Sequence, residues 1–230
     1  MKRIEIKVAK ERIAYTSSIR ARNKIIMMIL KIMNIIMQID IQEDNNQNGQ
    51  LSLCTDGLEE RDVVVVLRID KMSRLFLILD DKIHSFQFPF SIKTIDNRYV
   101  FHSQGSDIDN ITLSFLISIY NSLEESNSFC SLEDAFMEEI ENYGIDCSSI
   151  PCLSNLVGIL QTFEIGYLRY DYDDDVERVD EETHPINHLD INFSNSVTYK
   201  IGLENDLNCR KLEDIIDVQT KCKFIKDISE

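Results

Sequence analysis

Apolar and polar positions change their period several times along the chain. From about Val8 to Ile41 straight-chain and basic residues are frequent, Gly and Pro are absent, and the stretch IIMMILKIMNIIMQI (25–39) is apolar on every side. That pattern predicts an N-terminal helix, and a helix apolar all round is a buried one. Lys31, Asn34 and Gln38 interrupt it, leaving an uninterrupted apolar run of six residues, too short to span a bilayer. The basic residues ahead of it leave an interfacial amphipathic helix as the alternative. The polar stretch QEDNNQNGQ (42–50) then reads as a surface loop.

Between residues 51 and 90 the period shortens. LSLCT, DVVVVLRID, RLFLILDD and KIHSFQFPF are β-branched or aromatic runs divided by short polar segments, which predicts three or four strands in an antiparallel meander. DVVVVLRI, apolar almost throughout, is the expected central strand, and Pro89 marks an edge or strand end. After a loop at HSQGSDIDN, helical spacing returns in DNITLSFLISIYNSLEE (109–125), SLEDAFMEEIENYG (131–144) and CLSNLVGILQTF (152–163). The middle one has the clearest ends, with Ser131 as N-cap, Asp134 three residues on and Gly144 as the stop.

FEIGYLRYDYD (163–173), HLDINFS (188–194) and SVTYKIG (196–202) revert to alternation and predict a C-terminal β-hairpin region, followed by a closing helix from about Asp206. The expected fold is therefore α+β: N-terminal helix, antiparallel meander, central helices, C-terminal hairpin and closing helix. With three Pro, seven Gly and no repeat, the chain reads as one domain over 1–230, any subdivision falling between 1–105 and 106–230.

Composition changes this picture in two ways. The formal charge of -16 hides a split: residues 1–31 carry nine Lys/Arg and two Glu, a balance of +7, so of the chain's 24 basic and 40 acidic side chains the rest holds 15 and 38, a balance of -23. Such a body disfavours direct nucleic-acid binding, whose affinity comes largely from Lys/Arg on phosphates, and fits a basic or nucleic-acid-associated protein partner. Cys54, Cys130, Cys147, Cys152, Cys209 and Cys222 show no C-x-x-C spacing, so reduced and mostly buried thiols in a cytoplasmic protein are expected. No secretory signal is visible, and neither Cys130 nor Cys152 has a His close by in sequence to activate it as a nucleophile.

Candidate chemistry concentrates in YDYDDDVERVDEETHPINHLDINF (170–193), which contains nine carboxylates and two of the four histidines. The reading of Asp174 to Glu182 is a solvated turn. His184 and His188 have the i, i+4 spacing of an H-E-x-x-H helix, but Pro185 stands at the second position and turns His184 away from helical geometry. Two arrangements follow. In the first, a buried clasp, Arg169, Asp171, Asp173, His184 and His188 pair among themselves and set strand register, with no catalytic or cofactor role. In the second, a divalent metal is held by Asp173, His184, His188 and Asp190, and Asp171, Asp173, His184 and His188 serve a metal-dependent nuclease or phosphoesterase. Phosphate-binding glycine loops and the G-x-S-x-G elbow are absent. His84 and His102 stand alone, His84 as a partly buried residue of the aromatic strand and His102 at the border of a loop.

RYDYD (169–173), followed after the acidic stretch by HPINHLDI (184–191), a strand and a closing helix, resembles an uncharacterised bacterial domain family with the pattern R-x-D-Y-D, spacer, H-P-x-x-H-L. The matching positions are Arg169, Asp171, Tyr172, Asp173, His184, Pro185, His188 and Leu189, within residues 164–220. Asp190 and Asn192 stand where the family more often has Thr and Gly. What the resemblance implies is a setting in bacterial defence and mobile-element neighbourhoods. The expected function is a non-catalytic accessory or interaction subunit of an anti-phage or conflict system that binds a protein partner. Alternatives are the metal-dependent enzyme and an acidic mimic of nucleic acid acting as an inhibitor. Homo-oligomerisation stays open.

Overall fold

The computed structural model describes residues 3–15, 19, 21–39, 41, 61–69, 72–125, 131–194 and 197–223. The expected loop at 42–50 and strand at 51–55 lie outside these. The fold is α+β, in two compact units assembled from interleaved segments: 1–7, 49–87 and 166–230 in the first, 8–48 and 88–165 in the second. The 105/106 division falls inside the second unit.

The first unit is built on β1 (Arg3–Ala9), β2 (Asp62–Arg68), β3 (Arg74–Ile78), β4 (Lys82–Gln87), β8 (Leu168–Tyr172), β9 (Asn187–Ser194) and β10 (Val197–Gly202), in the spatial order β1-β2-β3-β4-β8-β9-β10. The two β regions of the sequence thus join one seven-stranded sheet. β2, β3, β4, β8, β9 and β10 pair antiparallel in succession. Val63 to Leu67 are fully buried, as a strand apolar on both faces requires. On one face Val64, Val66, Phe76, Ile83, Tyr170 and Leu189 pack with Leu207 and Leu212 of the closing segment, whose helix α5 (Cys209–Ile216) is capped by the Asn208 side chain. At the edge of that face Arg68 Nη1 lies 3.0 Å from Glu213 Oε2, so the buried carboxylate is paired.

The second unit contains a three-stranded sheet, β5 (Ser91–Ile95), β6 (Arg98–Ser103) and β7 (Ser106–Ile108), and the helices α1 (Arg22–Met37), α2 (Asn110–Glu125), α3 (Leu132–Tyr143) and α4 (Ile150–Thr162). In α1 every residue from Ile25 to Leu30 is buried, together with Ile32, Met33 and Ile36. Helix α3 begins with the reciprocal Ser131–Asp134 capping box and stops at Gly144, whose φ of 59° is left-handed. Asp109 caps α2 by accepting from the Thr112 amide at 2.7 Å.

Three readings need correction. The helix expected from about Val8 starts only at Arg22, and Val8 and Ala9 end a strand over 3–9 in which buried Ile4, Ile6 and Val8 alternate with Arg3, Glu5 and Lys7. The stretch around HSQGSDIDN is a hairpin, because Gln104 and Gly105 take positive φ and turn β6 into β7; Asp96 and Asn97 do the same between β5 and β6. The thiols are not mostly buried: Cys147, Cys152 and Cys222 are exposed and free, and Cys209 is half-buried. Cys54 and Cys130 lie outside the described residues. Among the described residues no helix is long and apolar enough to cross a membrane.

Candidate functional site

Antiparallel register sorts β4, β8, β9 and β10 into rows that alternate between faces. Ile83, Tyr170, Leu189 and Ile201 stand opposite one another and belong to the apolar cluster. One residue away, on the other face, His84, Arg169, Asp190 and Lys200 form the next row, and Lys82, Asp171, His188 and Gly202 the row beyond. A strict period of two therefore puts Arg169, Asp171, His188, Asp190 and Lys200 on one face of three neighbouring strands.

Arg169 is the centre of this group. Its Nε donates to Asp171 Oδ2 and its Nη2 to Asp190 Oδ2, both at 2.6 Å, so one guanidinium bridges two carboxylates. Asp171 and Asp190 are each 3% exposed and His188 1%. Burial pulls the Arg169 pKa down, but the charge of Asp171, with Tyr167 and Asp190, outweighs it and holds the group above the ordinary arginine value. The Oδ1 atoms of both aspartates are buried and accept no hydrogen bond.

The two histidines are held by different partners. His188 Nδ1 lies 2.8 Å from the Pro185 carbonyl, which only accepts, so Nδ1 carries the proton. His188 Nε2 lies 3.3 Å from Asp171 Oδ2 and 3.3 Å from Lys200 Nζ. His184 Nδ1 accepts from the same Nζ at 2.7 Å, which leaves its Nε2–H to donate to Asp173 Oδ2 at 3.4 Å. The ring centroids are 4.7 Å apart. Burial works against the Asp173 carboxylate, but the Asp175 amide, His184 and Arg178 together hold it below the usual carboxylate range. The His-Pro turn reaches this position because Gly202 offers no side chain: a Cβ there would meet Pro185 Cγ at 3.0 Å.

His84 extends the polar face toward β4. It is fully buried, its Nδ1 is 2.9 Å from the Tyr167 hydroxyl, and its ring stacks with Phe86 and Tyr167. Burial, then the charges of Arg169 and Lys82, push its pKa down to about 3, so the ring is neutral. His102 lies in the second unit near the end of β6, beside the 104–105 turn, and its Nδ1 is 2.8 Å from Asp107 Oδ1.

Beyond the buried group the loop from Asp173 to His184 is closed by its own side chains. Asp175 Oδ1 accepts from the Glu177 amide at 3.0 Å, Asp180 Oδ1 accepts from the amides of Glu182 and Thr183 at 3.0 and 2.7 Å, and Asp180 and His184 exchange backbone bonds. Asp174, Glu177, Asp180, Glu181 and Glu182 face solvent, as do Tyr172, Val176 and Ile186.

The structure thus brings together Arg169, Asp171 and His188 of the expected clasp, adds Asp190, and places Asp173 and His184 as a second pair joined through Lys200. Among the described residues, the group whose potential ligand atoms all lie within 4.8 Å of one another is Asp171, His188 and Asp190. Asp173 and His184, named in the expected metal set, are not part of it. Lys200 and the neutral His84 escaped sequence reasoning. The alternation of VTYKIG against HLDIN was the available signal for Lys200. The Cys209 thiol, pushed up to about 12 by burial and by Glu213, is no nucleophile. Comparison with protein-family models, curated proteins and solved structures finds no match.

Proposed function

We infer that this chain is a cytoplasmic, non-catalytic interaction subunit that engages a protein partner with a basic surface. The observation carrying this reading is the loop 173–184, an acidic, partly apolar surface tied by side-chain-to-backbone bonds and rooted in a buried charge cluster. Exposed Tyr172, Val176 and Ile186 among Asp174, Glu177, Glu181 and Glu182 match the composition of a binding patch, apolar contacts within a charged rim. Ordering before binding lowers the entropy cost of association. The overall charge of -16 favours encounter with a basic partner.

A nuclease or phosphoesterase would need its carboxylates and imidazole where a phosphodiester can reach them. Here Asp171 and His188 are buried and their Oδ2 and Nε2 atoms already face charged groups of the chain. A setting in bacterial anti-phage defence is part of this proposal on the resemblance alone. The test is size-exclusion and calorimetry with the product of the neighbouring reading frame. Association at micromolar concentration, weakened by salt and by the combined change Asp174→Asn, Glu177→Gln, Glu181→Gln and Glu182→Gln, is expected. Two monomers that ignore each other would overturn the proposal.

A further inference from the structure

We propose that Asp171, His188 and Asp190 form a structural binding site for one divalent cation of the zinc or manganese class. Three observations converge on it. The first is the pair of orphaned oxygens, Asp171 Oδ1 and Asp190 Oδ1, buried in side chains only 3% exposed and without a hydrogen-bond donor. Buried acceptors without a donor are rare, and a bound ion is one of the few explanations for them. Arg169 engages only the Oδ2 atoms, so both Oδ1 lone pairs are free while the guanidinium orients the carboxylates from behind.

The second observation is the tautomer of His188. A ring whose Nδ1–H is fixed on a backbone carbonyl, here Pro185 O at 2.8 Å, is the arrangement that presents Nε2 to a metal. That Nε2 lies 3.3 Å from Asp171 Oδ2, a place that favours a positive charge beside both atoms. Lys200 supplies one, its Nζ lying 3.3 Å from His188 Nε2 and 2.7 Å from His184 Nδ1. An exposed lysine ammonium thus marks a point where two imidazole nitrogens converge, and it can withdraw to solvent when a stronger cation arrives.

The third is charge and span. Two buried carboxylates share one guanidinium, and the other positive charge at the site is the exposed Lys200 ammonium, which a bound cation would replace. One potential ligand atom from each of the three residues, a carboxylate oxygen or an imidazole nitrogen, lies within 4.8 Å of the others, a little over twice a metal–ligand bond of about 2.1 Å. One imidazole nitrogen with two carboxylate oxygens suits zinc and manganese better than calcium, which takes oxygen alone. Because all three ligands are buried, the ion would tie β8 to β9 in a closed site.

The experiment uses the full chain, stripped with chelator, and zinc or manganese chloride as the probe. Calorimetry should find one zinc ion per chain at micromolar concentration, and long-range nitrogen-15 spectra should move the His188 Nε2 resonance while Nδ1 stays protonated. His188→Gln should abolish binding. Lys200→Met, which removes the competing ammonium, should lower the Kd, and this variant leaves the buried ligands intact if His188→Gln does not fold. An unmoved Nε2 resonance, zinc binding unchanged in His188→Gln, or a Lys200→Met variant that binds no better than the parent would each overturn the proposal.

Discussion

Two rows of side chains lie one residue apart on the same four strands, and they do opposite work. Ile83, Tyr170, Leu189 and Ile201 face the closing segment and contribute through burial, which is proportional to area and indifferent to direction. His84, Arg169, Asp190 and Lys200 face the other way and contribute through bonds that exist in one register only. A slip of β9 by one residue would exchange the two rows, placing Asp190 in the apolar cluster. Apolar burial stabilises this part of the sheet, whereas the charged row is expected to select its register.

The comparison is broken most severely at Arg169. Arg169→Ala leaves Asp171 and Asp190 buried together without their shared cation and should cost about 3–5 kcal/mol, read by urea denaturation. Replacing Arg169, Asp171 and Asp190 together by Met, Leu and Leu should restore most of that stability, while register heterogeneity appears in amide spectra. On the apolar row, Leu189→Ala should cost about 2–4 kcal/mol with register intact. The contrast between those two outcomes separates specificity from stability.

Acid probes the charged row more gently. His84 stays neutral in the folded chain down to about pH 3, whereas an unfolded histidine takes up a proton below its ordinary 6.5. The unfolded state therefore binds more protons in that window, and its contribution to stability, full above 6.5, should fall by about 1.4 kcal/mol per pH unit on acidification. Denaturation midpoints of His84→Asn against the parent between pH 6.5 and 4 should show the slope reduced in the variant. Smallest of all, Gly202→Ala should cost about 1 kcal/mol, because Pro185 must lift from the sheet; a weakened His184–Lys200 contact in nitrogen-15 spectra would report it.

Much of the charged row was legible in advance. Period-two alternation in RYDYD and HLDIN places Arg169 with Asp171 and His188 with Asp190, and an X-Pro step after His184 breaks the helical alternative. What sequence could not supply was register between strands. Whether Asp190 faces Arg169 or Asp171 depends on the turn length across 173–186, and this decides that Asp190, not Asp173, shares the guanidinium. Lys200 was obscured for the same reason. Strand β1 escaped because its three alternating apolar residues run into a basic segment with helical composition, and β7 because three residues are too few for periodicity to register. The capping box of α3 was legible in full, being local chemistry in four consecutive residues.

The pairing of β4 with β8 joins residues 82–85 to 168–171, so the whole segment 88–165 lies between two adjacent strands. During synthesis β2, β3 and β4 leave the ribosome long before their neighbour exists. Until β8 arrives, β4 offers an open edge on which another chain could add a strand. At that stage His84 is the row's only completed member, and the ions that specify the correct partner are still untranslated. This half of the protein must spend the synthesis of more than eighty residues with its most selective edge unguarded, so its yield should depend on translation speed and chaperone supply more than its final stability would suggest.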